Sequence, residues 1–133
     1  MVDRKRILLV DDEQSILVPM ARYLRAQGFS VDTAASQPEA EALTSQAPYD
    51  LVILDLSLAP GGGNEGLQLL RNLRQRDPQS ILLVVTAHSS PELQEEARTS
   101  GANAVLTKPQ PLSRLAQLAF ASTGAEPLSG PAH

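Results

Sequence analysis

Four short segments of the chain are continuously apolar or nearly so, and they constrain the possible folds more than any other feature. These segments are Ile7 to Val10, Leu51 to Leu54, Ile81 to Val85 and Ala104 to Leu106. Short apolar runs without alternation are typical of strands buried on both faces, as in a parallel sheet. A fifth segment, Phe29 to Thr33, alternates between apolar and polar residues and predicts an edge strand.

Between these segments, apolar residues recur three or four positions apart, which indicates one buried face of a helix. The predicted faces are Ile16, Met20 and Leu24; Ala40, Leu43 and Ala47; Leu67, Leu70 and either Leu73 or Arg74; Leu93 and Ala97; and Leu112, Leu115 and Ala119. Helix starts are predicted at Ser36 and Ser90, and helix ends at Gly28 and Gly101. Five strands alternating with five helices predict a doubly wound α/β domain with a parallel sheet.

Composition limits both the location of the protein and the kind of site it can carry. The 133 residues include no cysteine, which excludes disulfide scaffolds, cysteine-ligated metal sites and thiol nucleophiles. No segment approaches the ~18 apolar residues of a membrane span, so we expect a cytoplasmic protein without membrane contact. A formal charge of −4 and the lack of a basic stripe argue against nucleic acid as a direct partner. We expect one domain over residues 1–122 and a flexible tail or the start of a linker over residues 123–133.

Polar residues follow the predicted strands at the edge where ligands bind in open parallel sheets. Asp11 and Asp12 follow the first strand and Asp55 the third, and Thr86 and Lys108 follow the last two. Carboxylates this close together need a cation, and their hard oxygen ligands suit Mg²⁺. A carboxylate beside Mg²⁺ can attack a phosphoryl group to form an acyl phosphate, with the lysine and the threonine as donors to the phosphoryl oxygens. Any one of these residues alone is more often a helix cap, a turn or a surface residue, but four coincident strand ends favour a functional site.

Four motifs connect this chain to a known family: ILLVDDE, YDLVILDL, LLVVTA and AVLTKP, in the family's order and close to its spacing. Over about residues 5 to 121 the sequence resembles the receiver domain of bacterial two-component response regulators, the CheY-like family. The resemblance implies a (βα)5 flavodoxin-like fold with a five-stranded parallel sheet in the order 2-1-3-4-5. Its second strand would lie at an edge of the sheet.

The resemblance also implies a role for each residue at the carboxyl edge of the sheet. Asp55 is expected to accept a phosphoryl group from a phosphohistidine of a sensor histidine kinase or of a phosphotransfer protein. Asp12 is expected to bind Mg²⁺ directly and Asp11 through water. Asp55 and the backbone carbonyl of Ser57 are the further expected ligands. Lys108 is expected to contact the phosphoryl group.

Further implied features concern switching and output. Thr86 is expected to move toward the phosphoryl group on activation, and the Lys108-Pro109 peptide bond is expected to be cis. Ser57 and His88 occupy the positions that influence how long the acyl phosphate survives. The expected output is a change in the binding of a downstream protein to the face formed by the fourth helix, fifth strand and fifth helix.

Three features depart from the family pattern. The switch aromatic three positions before the lysine is replaced by Val105, which has no ring to swing, and this puts the usual coupling to Thr86 in question. The loop LSLAPGGGNEGL after Asp55 is about three residues longer than is common in the family. Asn103 to Val105 replaces the acidic, aromatic run of winged-helix regulators, and Gln110 follows the proline, which weakens the case for their ion-paired dimer.

Two other patterns have ordinary explanations. The glycines from Gly61 to Gly66 match the dinucleotide-binding pattern G-x-G-x-x-G, but the tight strand-to-helix turn and the acidic residue of that motif are absent. We therefore expect a flexible insertion there. Arg71, Arg74 and Arg76 are expected to form the solvated face of the third helix, with a docking surface as the alternative.

Two other functions stay open at this point. A Mg²⁺-dependent phosphohydrolase would also use an aspartyl nucleophile, although haloacid-dehalogenase-like enzymes carry a second Asp where this chain has Ser57. The chain is also compatible with being the receiver of a longer regulator, such as a transcription factor. We expect no enzyme activity beyond phosphotransfer to Asp55 and its own dephosphorylation.

Overall fold

A computed structural model of the chain describes residues 4–56 and 65–125, in which five strands alternate with five helices. The elements are β1 (Arg6–Val10), α1 (Gln14–Ala26), β2 (Ser30–Ala34), α2 (Gln37–Thr44), β3 (Leu51–Leu54), α3 (Glu65–Arg76), β4 (Ile81–Thr86), α4 (Pro91–Thr99), β5 (Ala104–Thr107) and α5 (Leu112–Thr123). The strands form one parallel sheet in the order β2-β1-β3-β4-β5. This arrangement confirms the predicted doubly wound α/β fold and the edge position of β2.

Side chains of the central strands alternate between the two faces of the sheet, and helices cover both faces. Leu8 and Val10 of β1 pack in a core cluster with α2, α3 and α4, whereas Ile7 and Leu9 pack in a second cluster with α1 and α5. All four side chains are almost completely buried. Because neither face meets water, the central strands consist of apolar residues without alternation.

β5 is the strand for which the expected burial on both faces is wrong. Ala104 is exposed, and Val105 and Leu106 are only half-buried. Among the described strands it pairs with β4 alone, and it forms the second edge of the sheet. Apolar residues are common at protein surfaces, so three apolar residues in a row do not establish burial on both faces.

Capping groups confirm the predicted ends of several helices. The hydroxyl of Ser36 accepts a hydrogen bond from the backbone N–H of Glu39, and that of Ser90 accepts one from the N–H of Leu93. Each bond satisfies a backbone donor that has no partner inside its helix, so both predicted starts are confirmed. Gly101 follows the end of α4 with a φ of +123°, a conformation that favours glycine.

The helices of the described residues are 8 to 13 residues long. α2 ends at Thr44, so the prediction that Ala47 lies on this helix is wrong. Pro48 follows, and the residue before a proline is disfavoured in the α conformation. α5 ends at Thr123, followed by Gly124 in the left-handed conformation. Within residues 4–56 and 65–125, no helix has both the length and the apolar character to cross a bilayer.

The three arginines of α3 bind neighbouring elements, and the expectation of a merely solvated face is wrong for half-buried Arg74. Its guanidinium donates to five oxygens at 2.8 to 3.3 Å, which belong to the main chain of Asp77, Pro78, Ser80 and Gly101 and to the side chain of Asn103. Arg71 and Arg76 are exposed, as expected, but donate to Ser100 after α4 and to Thr44 of α2. The arginines therefore join α3 to both adjacent helices and to the loops before β4 and β5.

Candidate functional site

The sheet places four of the predicted site residues at its carboxyl edge. Asp11 directly follows β1, and Asp55 directly follows β3. Thr86 is the last residue of β4, and Lys108 directly follows β5. Main-chain pairing continues one residue past the strands, because the N–H of Asp55 donates to the carbonyl of Val10 at 2.9 Å and that of Lys108 to the carbonyl of Thr86 at 2.8 Å. The sheet itself therefore fixes where these residues stand.

Three carboxylates form an acidic cluster at this edge. One oxygen each from Asp11, Asp12 and Asp55 lies within 4.8 Å of the others. Asp11 and Asp55 are only 5% and 6% exposed, whereas Asp12 faces solvent. Carboxylates at this separation repel one another, and an all-oxygen donor set is the kind that divalent Mg²⁺ and Ca²⁺ prefer. The cluster is therefore a site that a divalent cation can occupy.

Lys108 supplies a positive charge inside this cluster. Its Nζ donates hydrogen bonds of 2.7 Å to Asp11 Oδ2 and 3.1 Å to Asp55 Oδ2. Burial alone lowers the pKa of the Lys108 ammonium, but the hydrogen bonds and charges of the two carboxylates outweigh it, so the pKa lies above its usual value. The lysine therefore stays protonated at neutral pH and offsets part of the negative charge of the cluster.

A backbone contact that the sequence analysis missed orients Asp11. The N–H of Glu13 donates a 3.0 Å hydrogen bond to Asp11 Oδ1, while Lys108 binds the other oxygen. A bond from an aspartate to the backbone two residues further on is a common turn, and its signal is an Asp immediately after a strand. The two bonds together fix the plane of the Asp11 carboxylate.

Thr86 and His88 also stand at or near the carboxyl edge of the sheet. Thr86 is 2% exposed, and its carbonyl accepts the N–H of Lys108. The Lys108-Pro109 peptide bond is cis, which confirms that expectation. His88 is exposed, and its role in the lifetime of an acyl phosphate stays a prediction. Ser57 lies outside the described residues.

Val105 lies inside β5, two residue pairs before the carboxyl end of the strand. It pairs with Val84 of β4, and Thr86 pairs with Thr107. Its half-buried side chain packs against the core cluster formed with α2, α3 and α4. A β-branched side chain has little freedom about χ1, so a signal that reaches this strand has no large side-chain rotation available at Val105.

A cavity of about 480 Å³ lies beside the acidic cluster, between α1 and α5. Aliphatic side chains of both helices line it, among them Ile16, Met20 and Leu112, and Asp55 and Lys108 also belong to its lining. Sequence patterns did not predict the cavity, because it depends on the spacing of two helices that are far apart in the chain. It places apolar surface directly next to the carboxylates.

Comparison with known proteins identifies a single family. Residues 7–120 match the family model of the response regulator receiver domain. The chain is 43% identical over 104 residues to the alginate biosynthesis transcriptional regulatory protein AlgB of Pseudomonas aeruginosa. This match covers 78% of this chain and 22% of AlgB. It is 35% identical over 114 residues to the response regulator receiver protein Anae109_2439 of Anaeromyxobacter, covering 86% of this chain and 47% of that protein.

Solved structures give the same fold. A CheY-like response regulator receiver domain protein from Methanospirillum hungatei superposes with a TM-score of 0.85 at 27% identity, covering 92% of this chain and 95% of that one. A response regulator from Burkholderia pseudomallei, solved with a phosphorylated aspartic acid, a calcium ion and citrate, superposes with a TM-score of 0.78 at 27% identity, covering 90% of this chain and 66% of that one.

The curated relatives are longer than this chain and include transcriptional regulators. The chain spans between about a fifth and a half of the length of the relatives it matches. Their names include transcriptional regulatory proteins, so the expectation that nucleic acid is not a partner finds no support among them.

Proposed function

The chain belongs to the response regulator receiver domain family, and on that premise we propose that Asp55 is the phosphoacceptor of this signalling module. The donor would be a phosphohistidine of a sensor histidine kinase or of a phosphotransfer protein. The observation that carries the proposal is the position of Lys108, whose Nζ lies 3.1 Å from Asp55 and 2.7 Å from Asp11. A cation held there can neutralise oxygens of a phosphoryl group attached to Asp55.

The reaction proposed for Asp55 is a transfer between two covalent carriers. A carboxylate oxygen of Asp55 attacks phosphorus, the bond from phosphorus to the donor imidazole nitrogen breaks, and the nitrogen keeps the electron pair. The product is an acyl phosphate on Asp55 and a free imidazole. The ammonium of Lys108 donates a 3.1 Å hydrogen bond to Asp55, which places a positive charge beside the oxygens that gain negative charge during the transfer.

Mg²⁺ is the cofactor that we propose for the acidic cluster. Asp12 would bind it directly, Asp11 through water, and Asp55 and the carbonyl of Ser57 would complete the protein ligands. The donor set consists of carboxylates only in the described residues, which suits a hard cation. When bound, the ion supplies charge neutralisation for the attacking carboxylate and the phosphoryl oxygens. The Burkholderia pseudomallei response regulator was solved with a calcium ion and a phosphorylated aspartic acid, which supports a divalent cation in this proposal.

The proposed output is a shift between two conformations that changes the binding of a downstream protein. The partner surface would be the face formed by α4, β5 and α5, reached from Asp55 through Thr86 and β5. We propose residues 1–122 as the receiver and residues 123–133 as a tail or the beginning of a linker. A cytoplasmic location stays a prediction, as does the absence of enzyme activity beyond phosphotransfer and self-dephosphorylation.

A second candidate function is that of the receiver part of a longer transcriptional regulator. The observation that favours it is the coverage of AlgB, of which this chain matches only 22%. The receiver chemistry is the same in both cases, so the two functions differ only in what the phosphorylated domain acts on. Nucleic acid would then be a partner of another part of such a protein.

The phosphoacceptor is tested with small phosphodonors. The protein is incubated with acetyl phosphate and Mg²⁺ and compared with Asp55→Ala by intact mass, and beryllofluoride is added for NMR. We expect one acyl-phosphate adduct and Mg²⁺-dependent shifts that Asp55→Ala abolishes. Asp50→Ala, at the other end of β3, is the matched control and should behave as the wild type. An adduct in Asp55→Ala, or none in the wild type, would overturn the assignment.

The same samples separate a receiver from a phosphohydrolase. A receiver releases no more inorganic phosphate from an added phosphomonoester than a buffer control does, because its nucleophile serves a protein partner. Repeated turnover of p-nitrophenyl phosphate that depends on Asp55 would instead support the enzyme. Titration with Mg²⁺ and with Ca²⁺, followed by the amide shifts of Asp11 and Asp12, tests which cation binds more tightly.

A further inference from the structure

Gly66, the second residue of α3, lies against the main chain of Leu56. A Cβ atom on residue 66 would stand 2.4 Å from the carbonyl oxygen of Leu56, 2.7 Å from its Cα and 2.9 Å from its carbonyl carbon. Protein interiors are packed closely enough that such overlaps force a displacement. All three atoms belong to the main chain, so no side-chain rotation can relieve the overlap.

Backbone conformation does not explain this glycine. Among the described residues, the glycines with a positive φ are Gly28, Gly101 and Gly124, and Gly66 is not one of them. Inside a helix, glycine is less favourable than alanine. The close approach of α3 to the main chain of Leu56 is therefore the reason why position 66 needs a glycine.

The approached peptide group belongs to the proposed phosphorylation site. Leu56 directly follows Asp55, and its carbonyl is part of the peptide bond to Ser57. On the other side, the N–H of Asp55 is held by the carbonyl of Val10. Two contacts therefore flank Asp55 along the chain. Its own N–H is bound to β1, and the next residue, Leu56, packs against α3.

We propose that Gly66 is a positioning residue for this site, acting through the Leu56 peptide group on the placement of Asp55 and of the bound cation. The inference rests on the proposed function, because it assumes that Asp55 is the phosphoacceptor and that its acidic cluster binds the cation. It also gives the last glycine of the G-x-G-x-x-G pattern a role that involves no nucleotide. The role is steric, because the absence of a side chain lets the first turn of α3 pack against the main chain of the residue that follows Asp55.

The test compares Gly66→Ala with Gln75→Ala, a matched control at an exposed position of the same helix. Mg²⁺ affinity is measured by NMR titration, and adduct formation with acetyl phosphate by intact mass. We expect Gly66→Ala to weaken Mg²⁺ binding by about tenfold or more, the effect of disturbing residues that orient metal ligands. Gln75→Ala should leave it unchanged. Wild-type Mg²⁺ affinity in Gly66→Ala would overturn the proposal.

Thermal unfolding of the same two variants is a second test, because helix propensity and the overlap with Leu56 predict opposite changes in the Tm of Gly66→Ala. Helix propensity alone predicts that alanine at either position raises Tm. The overlap with Leu56 predicts that Gly66→Ala lowers Tm while Gln75→Ala does not. A raised Tm in Gly66→Ala would show that α3 does not press on Leu56 and would overturn the proposal.

A measurement on the wild-type protein covers the case in which Gly66→Ala does not fold. During Mg²⁺ titration, the amide signal of Gly66 should shift along the same binding curve as those of Asp11 and Asp12, with Gly124 as the glycine that does not respond. If the aspartate amides shift and Gly66 does not, the inference fails and the proposed metal site stands. If none of them shifts, the proposed metal site fails, and the inference fails with it.

Discussion

The ammonium of Lys108 lies 2.7 Å from Asp11 Oδ2, a contact between two residues that are 97 positions apart in the chain. The same nitrogen also binds Asp55. Three strand ends are therefore held together by one positive charge at the carboxyl edge of the sheet. This contact makes the site sensitive to the loss of a single side chain, both in stability and in chemistry.

Replacing Lys108 by alanine leaves Asp11 and Asp55 buried beside each other without their cation. We expect the free energy of unfolding at pH 7 to fall by about 2–4 kcal/mol, since the loss of one partner strands a buried charge. Mg²⁺ should restore part of this loss, because it binds the folded form. Urea unfolding with and without Mg²⁺ measures both effects.

The control for that variant is Lys5→Ala, which removes the only other lysine and lies before β1. We expect it to change the free energy of unfolding by less than about 0.5 kcal/mol. Formation of the acyl phosphate should be strongly reduced in Lys108→Ala and unchanged in Lys5→Ala. Equal stability of the two variants would contradict the ion pairing described here.

Tyr49 provides a prediction about alkaline pH. Burial and a 2.6 Å hydrogen bond to Asp32 raise its pKa from 10.0 to about 12. The neutral phenol is thus favoured in the folded protein, and its contribution to stability is complete below pH 10 and is lost as the pH rises toward 12. Tyr49→Phe should lower the free energy of unfolding by about 1–2 kcal/mol at pH 7.

The difference between wild type and Tyr49→Phe should shrink above pH 10, and urea unfolding at pH 7, 9 and 11 measures it. The pKa of Lys108 is raised as well, so its stabilising contribution also declines at high pH, in both proteins alike. Tyr23→Phe serves as the matched control for removal of a tyrosine hydroxyl. A difference that stays constant up to pH 11 would show that the Tyr49 pKa is not raised.

Arg74 carries the third prediction, since its guanidinium serves five oxygen acceptors at the amino end of the sheet. We expect Arg74→Met to lower the free energy of unfolding by about 2–4 kcal/mol, because several main-chain carbonyls lose their donor. Arg74→Lys should cost nearly as much, since a single ammonium cannot reproduce the planar array of donors. Arg22→Lys, on the exposed face of α1, is the control. Full stability of Arg74→Lys would mean that only the charge matters.

These residues also show how far the sequence alone could go. The convergence of Asp11, Asp55 and Lys108 was predictable, because parallel strands end at one edge and each residue follows an apolar run. The hydrogen bonds of Arg74 were not, since they depend on two loops meeting the end of α3. The need for glycine at position 66 was equally hidden, because it arises from the distance between a helix and a main chain ten residues away.

Val105 is the departure from the family pattern with the clearest functional consequence. Its half-buried position on β5 leaves a short aliphatic side chain where the family has a ring. We predict that Val105→Tyr changes the extent of the beryllofluoride-induced NMR shifts in α4 and β5, because a ring can adopt exposed and buried positions. Phosphorylation of Asp55 by acetyl phosphate should persist, since the substitution does not touch the acidic cluster.

The control is Ala104→Tyr, which adds the same ring at the adjacent, exposed position of β5. Successive residues of a strand point to opposite faces, so this ring lies away from the core cluster on which Val105 packs. We expect its activation-linked shifts to match those of the wild type. If Val105→Tyr abolished phosphorylation, Val105 would belong to the site itself and not to the route by which the signal leaves it. If both tyrosine variants behaved like the wild type, a ring at position 105 would not affect the activation-linked shifts. The prediction for Val105 would then be wrong.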